Sequence, residues 1–520
     1  MQDKPDTIAV ANISGDKDGD KGQQRKPRPR LQPINRQQLI LRTVDVEQLV
    51  EEDHEVRAIW ELMGRIDLSC YCEDIRAVEG VAGREALDPR LLISLWVYSY
   101  SKGVSSAREI ARLCEYHPAY QWLTGMKSIN YHTLSDFRVK HKEALDELFA
   151  EVLGLLSTEG LISLERVMHD GTKVKAFAGS DSFRREERLR ANLEIARQHV
   201  VSMGDPESEE EVGPRVAAAR RRAAREKQQR LESALEELAR IHAIKGESET
   251  KPAVRVSQAD PEARIMKQSD GGYAPSYNVQ ISTDTAAGVI VGMGVSQSGS
   301  DYEELIPAVE RIEDNLGQVP AQVVADGGFT SRANIIEMDK RGIDFIGSMG
   351  DGTSQSVGQL DRRGVDPAFR PEAFSHDADS DTYTCPGGKI LRYEAKEKRV
   401  GRINYKYRAR AADCHTCSHK DKCCPQNAVK GRTIVRGEDD PVVVAFSEKM
   451  QTDKAKQIYK ERGGVAEFPN AWIKDKIGLR QFRLRGLIKV GMEAMWACMT
   501  YNIQQWIRLC WKVQRAAIQV

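Results

Sequence analysis

No apolar run in this chain approaches the roughly 20 residues that a membrane-spanning helix requires. The N-terminus also lacks the apolar core of a secretory signal. These absences exclude an integral membrane protein and argue for a soluble, intracellular one. A surplus of one charge is missing too: Lys+Arg and Asp+Glu are equal at 77 each. Overall charge therefore says nothing about partners, and only local clusters can. Cysteine is too sparse for a disulfide scaffold, with ten residues in 520. Five of them fall between Cys385 and Cys424, a clustering that in a reducing compartment favours metal over disulfide.

A chain of 520 residues is too long for one core and implies several domains. Residues 1–37 are rich in Gly, Asp, Lys and Gln, end near Lys26-Pro27-Arg28-Pro29-Arg30, and lack apolar periodicity. They read as a disordered, locally basic tail. Residues 38–150 read as all-α. Asp88-Pro89 opens one helix, as N-cap and first-turn proline, and Gly103 closes it. Tight turns and Arg108, Arg112, Lys127 and Arg138 suit a helix-turn-helix-like DNA binder, with an ordinary helical bundle as the equal alternative.

From 151 to 348 the pattern is that of an α/β domain. Strand-like runs cover 166–176, 273–282, 288–296, 322–325 and 344–347, with helices at 302–316 and 334–341. That order predicts a mixed sheet. It is interrupted over 181–250 by charged, helix-forming sequence with Leu231, Leu235, Leu238 and Ile241 at helical spacing, read as an inserted hairpin whose apolar spacing also offers a self-contact. Residues 349–447 form a second insertion, rich in Gly, Pro and Cys, with strand candidates at 432–435 and 441–446. Helical pattern returns over 448–490, including a helix at 458–477, and 491–520 reads as a C-terminal helix.

Three carboxylates stand out by position. Asp170 and Asp326 each sit at a strand-like segment and are followed by glycine, where a short side chain can project into a cleft at the sheet edge. Glu467 lies in the helix over 458–477. Phosphoryl transfer on nucleic acid uses two divalent ions about 3.5–4 Å apart, and Mg²⁺ takes hard oxygen ligands, so carboxylates from separate elements suffice. Glu461 competes with Glu467, because Pro469 could place Glu467 in a first helical turn. Asp284 competes through its position near a strand end, and His169 could touch substrate or serve the structure.

His169-Asp170-Gly171-Thr172-Lys173, Val324-Ala325-Asp326-Gly327-Gly328-Phe329, and Tyr459-x2-Arg462-x4-Glu467-x6-Lys474 resemble, in order, the three catalytic segments of bacterial insertion-sequence DDE transposases. The last resembles the Tyr–Arg–Glu–Lys signature of that superfamily, and residues 38–150 resemble its helical N-terminal domain. The resemblance implies an RNase H-like fold with Asp170, Asp326 and Glu467 as catalytic ligands of two Mg²⁺ (or Mn²⁺) ions. It further implies binding of terminal inverted repeats and target DNA, strand transfer, a homodimer on DNA and a place at the bacterial nucleoid. Tyr459, Arg462 and Lys474 would then grip phosphates. The basic residues Arg480, Arg483 and Arg485 beside that helix offer a phosphate track.

Cys414-x2-Cys417 has the spacing of a zinc knuckle, and Cys385 and Cys423 could complete a tetrahedral zinc site, with His415, His419 and Cys424 as spare ligands. Cys70, Cys72, Cys114, Cys498 and Cys510 lie apart from it and read as core.

Overall fold

The computed structural model describes residues 36–39, 41, 43–73, 75–78, 80, 85–203, 213–245, 254–350, 353–425 and 430–518. The basic tail read over 1–37 thus falls almost wholly outside the described residues. Residues Met1–Asp45 make up one unit and Val46–Val520 another; the described part of the first has no helix or strand.

The second unit opens with six helices: α1 (Glu55–Met63), α2 (Pro89–Ser101), α3 (Ala107–Tyr116), α4 (Pro118–Thr124), α5 (Tyr131–Lys140) and α6 (Lys142–Thr158). Local chemistry sets their starts. Asp88 accepts from the Arg90 amide at 2.8 Å with Pro89 at the first position, which satisfies one donor left free by the helix end. Arg138, expected among surface DNA contacts, is instead buried. It donates to the Ser105 carbonyl at 2.8 Å and lies over Trp96.

The chain then enters a sheet at β1 (Arg166–Lys175). It leaves through β2 (Phe183–Arg184), α7 (Glu186–Ser202), α8 (Pro214–Lys245) and β3 (Val256–Ser257), and re-enters through β4 (Arg264–Lys267), β5 (Tyr273–Asp284) and β6 (Ile290–Ser296). After α9 (Leu305–Leu316), β7 (Gln322–Ala325), α10 (Arg332–Lys340) and β8 (Asp344–Gly347) complete the core. The spatial order is β6-β5-β1-β7-β8, with β4 also paired to β5. β5 runs antiparallel to β1 and to β6, while β1, β7 and β8 are mutually parallel. The domain is mixed α/β with a mixed sheet.

The hairpin uses its own apolar stripe. Leu231, Leu238 and Ile241 of α8 are buried against Leu189, Leu193 and Ala196 of α7. That stripe was expected to be open to self-contact, and it is consumed internally.

A second excursion follows β8: α11 (Thr353–Arg362), then β9 (Ser375–Asp377), β10 (Thr382–Thr384), β11 (Ile390–Arg399), β12 (Arg402–Ala409), the short α12 (Ala411–His415) and α13 (Lys420–Cys423), and β13 (Thr433–Asp439). These five strands form a separate antiparallel sheet over a small core of Phe369, Phe374, Leu391, Tyr407 and Ile434. The segment 441–446, read as a strand, is the start of α14 (Pro441–Gln451). Asp440 caps it by accepting from Val442 N at 3.0 Å, and Pro441 takes the first position, so capping outweighs the β-propensity of three valines.

The last elements are α15 (Asp453–Asp475), α16 (Leu487–Trp506) and α17 (Lys512–Ile518), the latter two joined by a π-helical turn, Ile507–Trp511. α15 begins five residues before the expected start, because Thr452 caps it. It also runs through Pro469, which forgoes one backbone bond without ending the helix, so Glu467 is not in a first turn. α16 is buried on nearly all sides and carries Trp496 and Trp506 into the main core with Trp96 of α2 and the sheet. Asn502 clips it to β6 by a paired exchange with the Ile290 backbone, 2.8 Å each way. α15 covers the opposite face, on Met168, Val324 and Ile346. Among the described residues no helix is long and apolar enough to cross a membrane.

Candidate active site

Side chains alternate across a strand, and β1 uses both faces. Met168, Asp170 and Thr172 turn toward α15; His169, Gly171 and Lys173 turn toward the opposite layer. In the parallel pairing His169 lies beside Ala325. One residue on, Asp170 in the middle of β1 and Asp326 just past the end of β7 are therefore neighbours, about 4.8 Å apart by the spacing of adjacent strands.

Asp170 is half-buried and meets α15 directly. Its Oδ2 accepts from Asn470 Nδ2 at 3.1 Å, its Oδ1 lies 3.9 Å from Arg462 Nη1, and the Gly171 amide donates to Oδ1 at 3.0 Å. Burial pushes its carboxyl up to about 6, Arg462 opposes that, and Asp326 and Asp301 add repulsion in the same direction as burial. Asp326 holds the turn after β7 by accepting from Gly328 N at 2.7 Å. Lys474 is bonded to Thr172, and Arg462 stacks on Tyr459, 5.9 Å from ring centre. The Tyr459, Arg462 and Lys474 side chains thus face the sheet's acidic end.

Glu467 is on the same helix, one turn before Asn470, and exposed. Glu461 pairs with Arg166 at 3.1 Å, at the far end of β1, about 13 Å along the strand from Asp170. Asp284 is fully buried and accepts from Leu164 N and Ala286 N at 2.8 Å; it braces a turn. His169 is buried, bonded to Ser282 Oγ and Gln280 Oε1 at 2.9 Å each, and burial drives its pKa down to about 3. It is a neutral structural residue packed on Phe329.

Sequence reasoning overlooked Asp301. It precedes α9 and accepts from Lys173 Nζ at 3.1 Å, Asn278 Nδ2 at 2.6 Å and Gln280 Nε2 at 2.9 Å. Burial would raise its pKa, but the Asn278, Lys173 and Gln280 donors outweigh that and hold it below the usual carboxylate range. A Cβ on Gly171 would come within 2.7 Å of Asp301 Oδ1, and one on Gly328 within 3.7 Å of Asp301 Cβ. Gly171, next to Asp170, and Gly328, two residues after Asp326, therefore face one carboxylate. A signal existed in β5, where Ser276, Asn278, Gln280 and Ser282 are all buried in strict alternation with apolar residues.

Of the basic track, Arg480 is paired with Asp475 and Arg485 lies over Phe177, while Arg483 is exposed. Cys385, Cys414, Cys417, Cys423 and Cys424 line one small cavity. Of the cysteines expected in the core, Cys114 and Cys498 are buried, Cys70 and Cys510 are intermediate, and Cys72 is exposed. Among the described residues, no group of three or more His, Cys, Asp or Glu side chains is already arranged to hold a metal ion.

The sheet and its acidic end define a mixed α/β protein with two aspartates juxtaposed on neighbouring parallel strands beneath a helix bearing cations. Residues 384–507 match the family described as Transposase DDE domain, and residues 44–140 match Transposase domain (DUF772). The chain is thus similar to an N-terminal transposase domain over its first part and to a transposase DDE domain over its last, in that order. The DDE match includes Glu467 and α15; Asp170 and Asp326 lie before it. No curated protein matches. One solved structure, titled as a piggyBac transposase synaptic complex with hairpin DNA, aligns over 89% of this chain and 81% of its own at 8% identity, with a TM-score of 0.21, too low to carry an argument.

Proposed function

We propose that the protein is an active insertion-sequence transposase that cleaves and joins DNA through Asp170, Asp326 and Glu467. The observation that carries this is the juxtaposition of Asp170 and Asp326 under Arg462, Asn470 and Lys474, in a chain similar to transposase domains over its first and last parts. The strand order, three antiparallel strands followed by two parallel ones on the other side of β1, supports an RNase H-like reading of the catalytic core.

The donor set suits hard divalent cations. Two adjacent carboxylates, one destabilised as an anion by burial and by its neighbour, gain from a shared positive charge. Asp170 and Asp326 would hold Mg²⁺ or Mn²⁺, with Glu467 as the third ligand from α15. When bound, a metal pair supplies activation of the attacking oxygen and stabilisation of the leaving oxygen. The chain's own residues position the groups. Asn470 and Arg462 orient Asp170, Asp301 holds the strand ends from below, and Lys474 and Arg462 bring positive charge beside the scissile phosphate. Arg483 and Arg485, with Arg480 when it leaves Asp475, extend that charge along the DNA backbone. The N-terminal helices would bind the terminal inverted repeats, and paired-end cutting calls for a dimer on DNA.

The test is Asp170→Asn and Asp326→Asn, assayed on DNA carrying the element's ends. Cleavage is expected to vanish while end binding stays near wild type. Cleavage at wild-type rate by either variant overturns the assignment. Joined products from the unaltered protein distinguish a transposase from a nuclease that only cuts.

A further inference from the structure

Beside the small β9–β13 sheet lies a charge that nothing ordinary accounts for. Arg432 is 3% exposed, and its Nε is buried without a partner. Nη2 donates to the Phe369 carbonyl at 3.1 Å, and the guanidinium stands over the Phe374 ring at 5.7 Å. Among the described residues no carboxylate forms an ion pair with it, although Asp413 lines the same cavity. The ionisable groups around it are the thiols of Cys423, Cys424 and Cys414 and the like-charged Arg363. A buried unpaired cation costs several kcal/mol, and neutral thiols do not offset that.

Three thiols of the cluster, Cys414 among them, each face a backbone donor. Lys389 N points at Cys385 Sγ (3.3 Å), Arg432 N at Cys414 Sγ (3.3 Å) and His419 N at Cys417 Sγ (3.4 Å). Cys385 begins a tight turn closed by Gly388 N to Cys385 O at 2.8 Å, with Gly388 at φ +73°. Cys414 and Cys417 flank the end of α12. Sulfur accepts an N–H weakly as a thiol and strongly as a thiolate, so three aimed amides are arranged for anions. The cavity that the cysteines line is about 20 Å³, room for one water-sized body.

We infer that Cys385, Cys414, Cys417 and Cys423 bind one structural Zn²⁺ as thiolates, with buried Arg432 as counter-ion to the centre. Four thiolates and Zn²⁺ sum to two negative charges, and Arg432 halves that excess. Binding releases four protons, one per thiol, and needs no redox partner. Cys423 is taken as the fourth ligand over its neighbour Cys424 because it is the buried one of the pair, and both line the cavity. The four sulfurs are not yet closed on a common point, so metal capture turns side chains whose backbone is already set. The site ties the β10–β11 turn to α12 and α13, three segments that share only a small apolar core.

The experiment uses full-length protein purified without chelator. Elemental analysis should find about one zinc per chain, and titration with a mercurial should release it. Exchange into Co²⁺ should give the intense thiolate-to-metal absorption of a tetrahedral four-sulfur site. Cys417→Ser and Cys385→Ser should lose the metal, whereas Cys424→Ser and Cys72→Ser should keep it. Absence of zinc in the unaltered protein, with ten free thiols or a Cys414–Cys424 disulfide, overturns the inference. Retention in Cys423→Ser together with loss in Cys424→Ser overturns the ligand assignment.

Discussion

Replacing Gly171 by alanine probes whether Asp301 braces the acidic end of the sheet. The new Cβ would stand 2.7 Å from Asp301 Oδ1, 2.7 Å from Gln280 Nε2 and 3.2 Å from Asn278 Oδ1. Carbon contacts prefer about 3.5–4.0 Å, so the first two atoms must retreat by most of an ångström and the third by a few tenths. All are side-chain ends, which normally give way cheaply. Here they are bonded to one another and to Lys173, so retreat weakens at least two of the three bonds to Asp301. At about 0.5–1.5 kcal/mol for each bond weakened, the expected destabilisation is about 1–3 kcal/mol, the range of an overpacked core. The functional effect is larger, because Asp170 precedes the altered residue and a 1 Å misplacement costs about 100-fold in rate. Metal-dependent cleavage should fall by about 10- to 100-fold, with DNA binding unchanged. Combining Gly171→Ala with Asp301→Ala should couple the two changes by about 1 kcal/mol or more, since the second removes the atom that the first strikes. Wild-type cleavage and melting by Gly171→Ala, or strict additivity in the double variant, would refute the bracing.

Glu467→Gln should abolish cleavage while Glu461→Gln leaves it within about twofold, since Glu461 serves an exposed ion pair worth under about 1 kcal/mol; the reverse result in the same cleavage assay reassigns the third ligand. Asp284→Ala strands three backbone donors and should cost about 2–4 kcal/mol of stability. Activity per folded molecule should stay near wild type, and a selective loss of metal response would show that Asp284 is a ligand after all. Changing Arg480, Arg483 and Arg485 together to glutamine should flatten the dependence of log K on log salt by about 2 to 3, at about 0.9 per phosphate contact; an unchanged slope in anisotropy titrations means that this face does not meet DNA. Light scattering on the end-bound complex should give at least two chains, and a monomeric complex removes the paired-end arrangement.

The placement of Asp170 and Asp326 was partly legible because an aspartate before glycine at a strand-like segment is a local feature. The 322–325 and 344–347 strands carry their pattern within a few residues, and Asp88-Pro89 announces a helix by capping chemistry. Other features depended on partners far away in sequence. Arg138 reads as a surface cation until Trp96 and the Ser105 carbonyl enclose it. The valines after Pro441 read as a strand because β-branching is counted there and the cap is not. Asp301 went unnoticed, since only the folded sheet brings Lys173, Asn278 and Gln280 around it. Pro469 misled in the other direction: a packed helix tolerates one missing backbone bond.

The bond between Asn470 and Asp170 joins residues 300 positions apart, and that span has a kinetic meaning. Long-range pairings are slow to form because the loop must close before any contact rewards it. During synthesis at about 5–20 residues per second, β1 waits about 15–60 s for α15 to leave the ribosome. In that interval the end of the sheet around Asp170 is incomplete, and so is the main core. A chain interrupted before α15 would therefore lack both the helix that meets Asp170 and α16, the buried helix against which α2 and the other N-terminal helices pack.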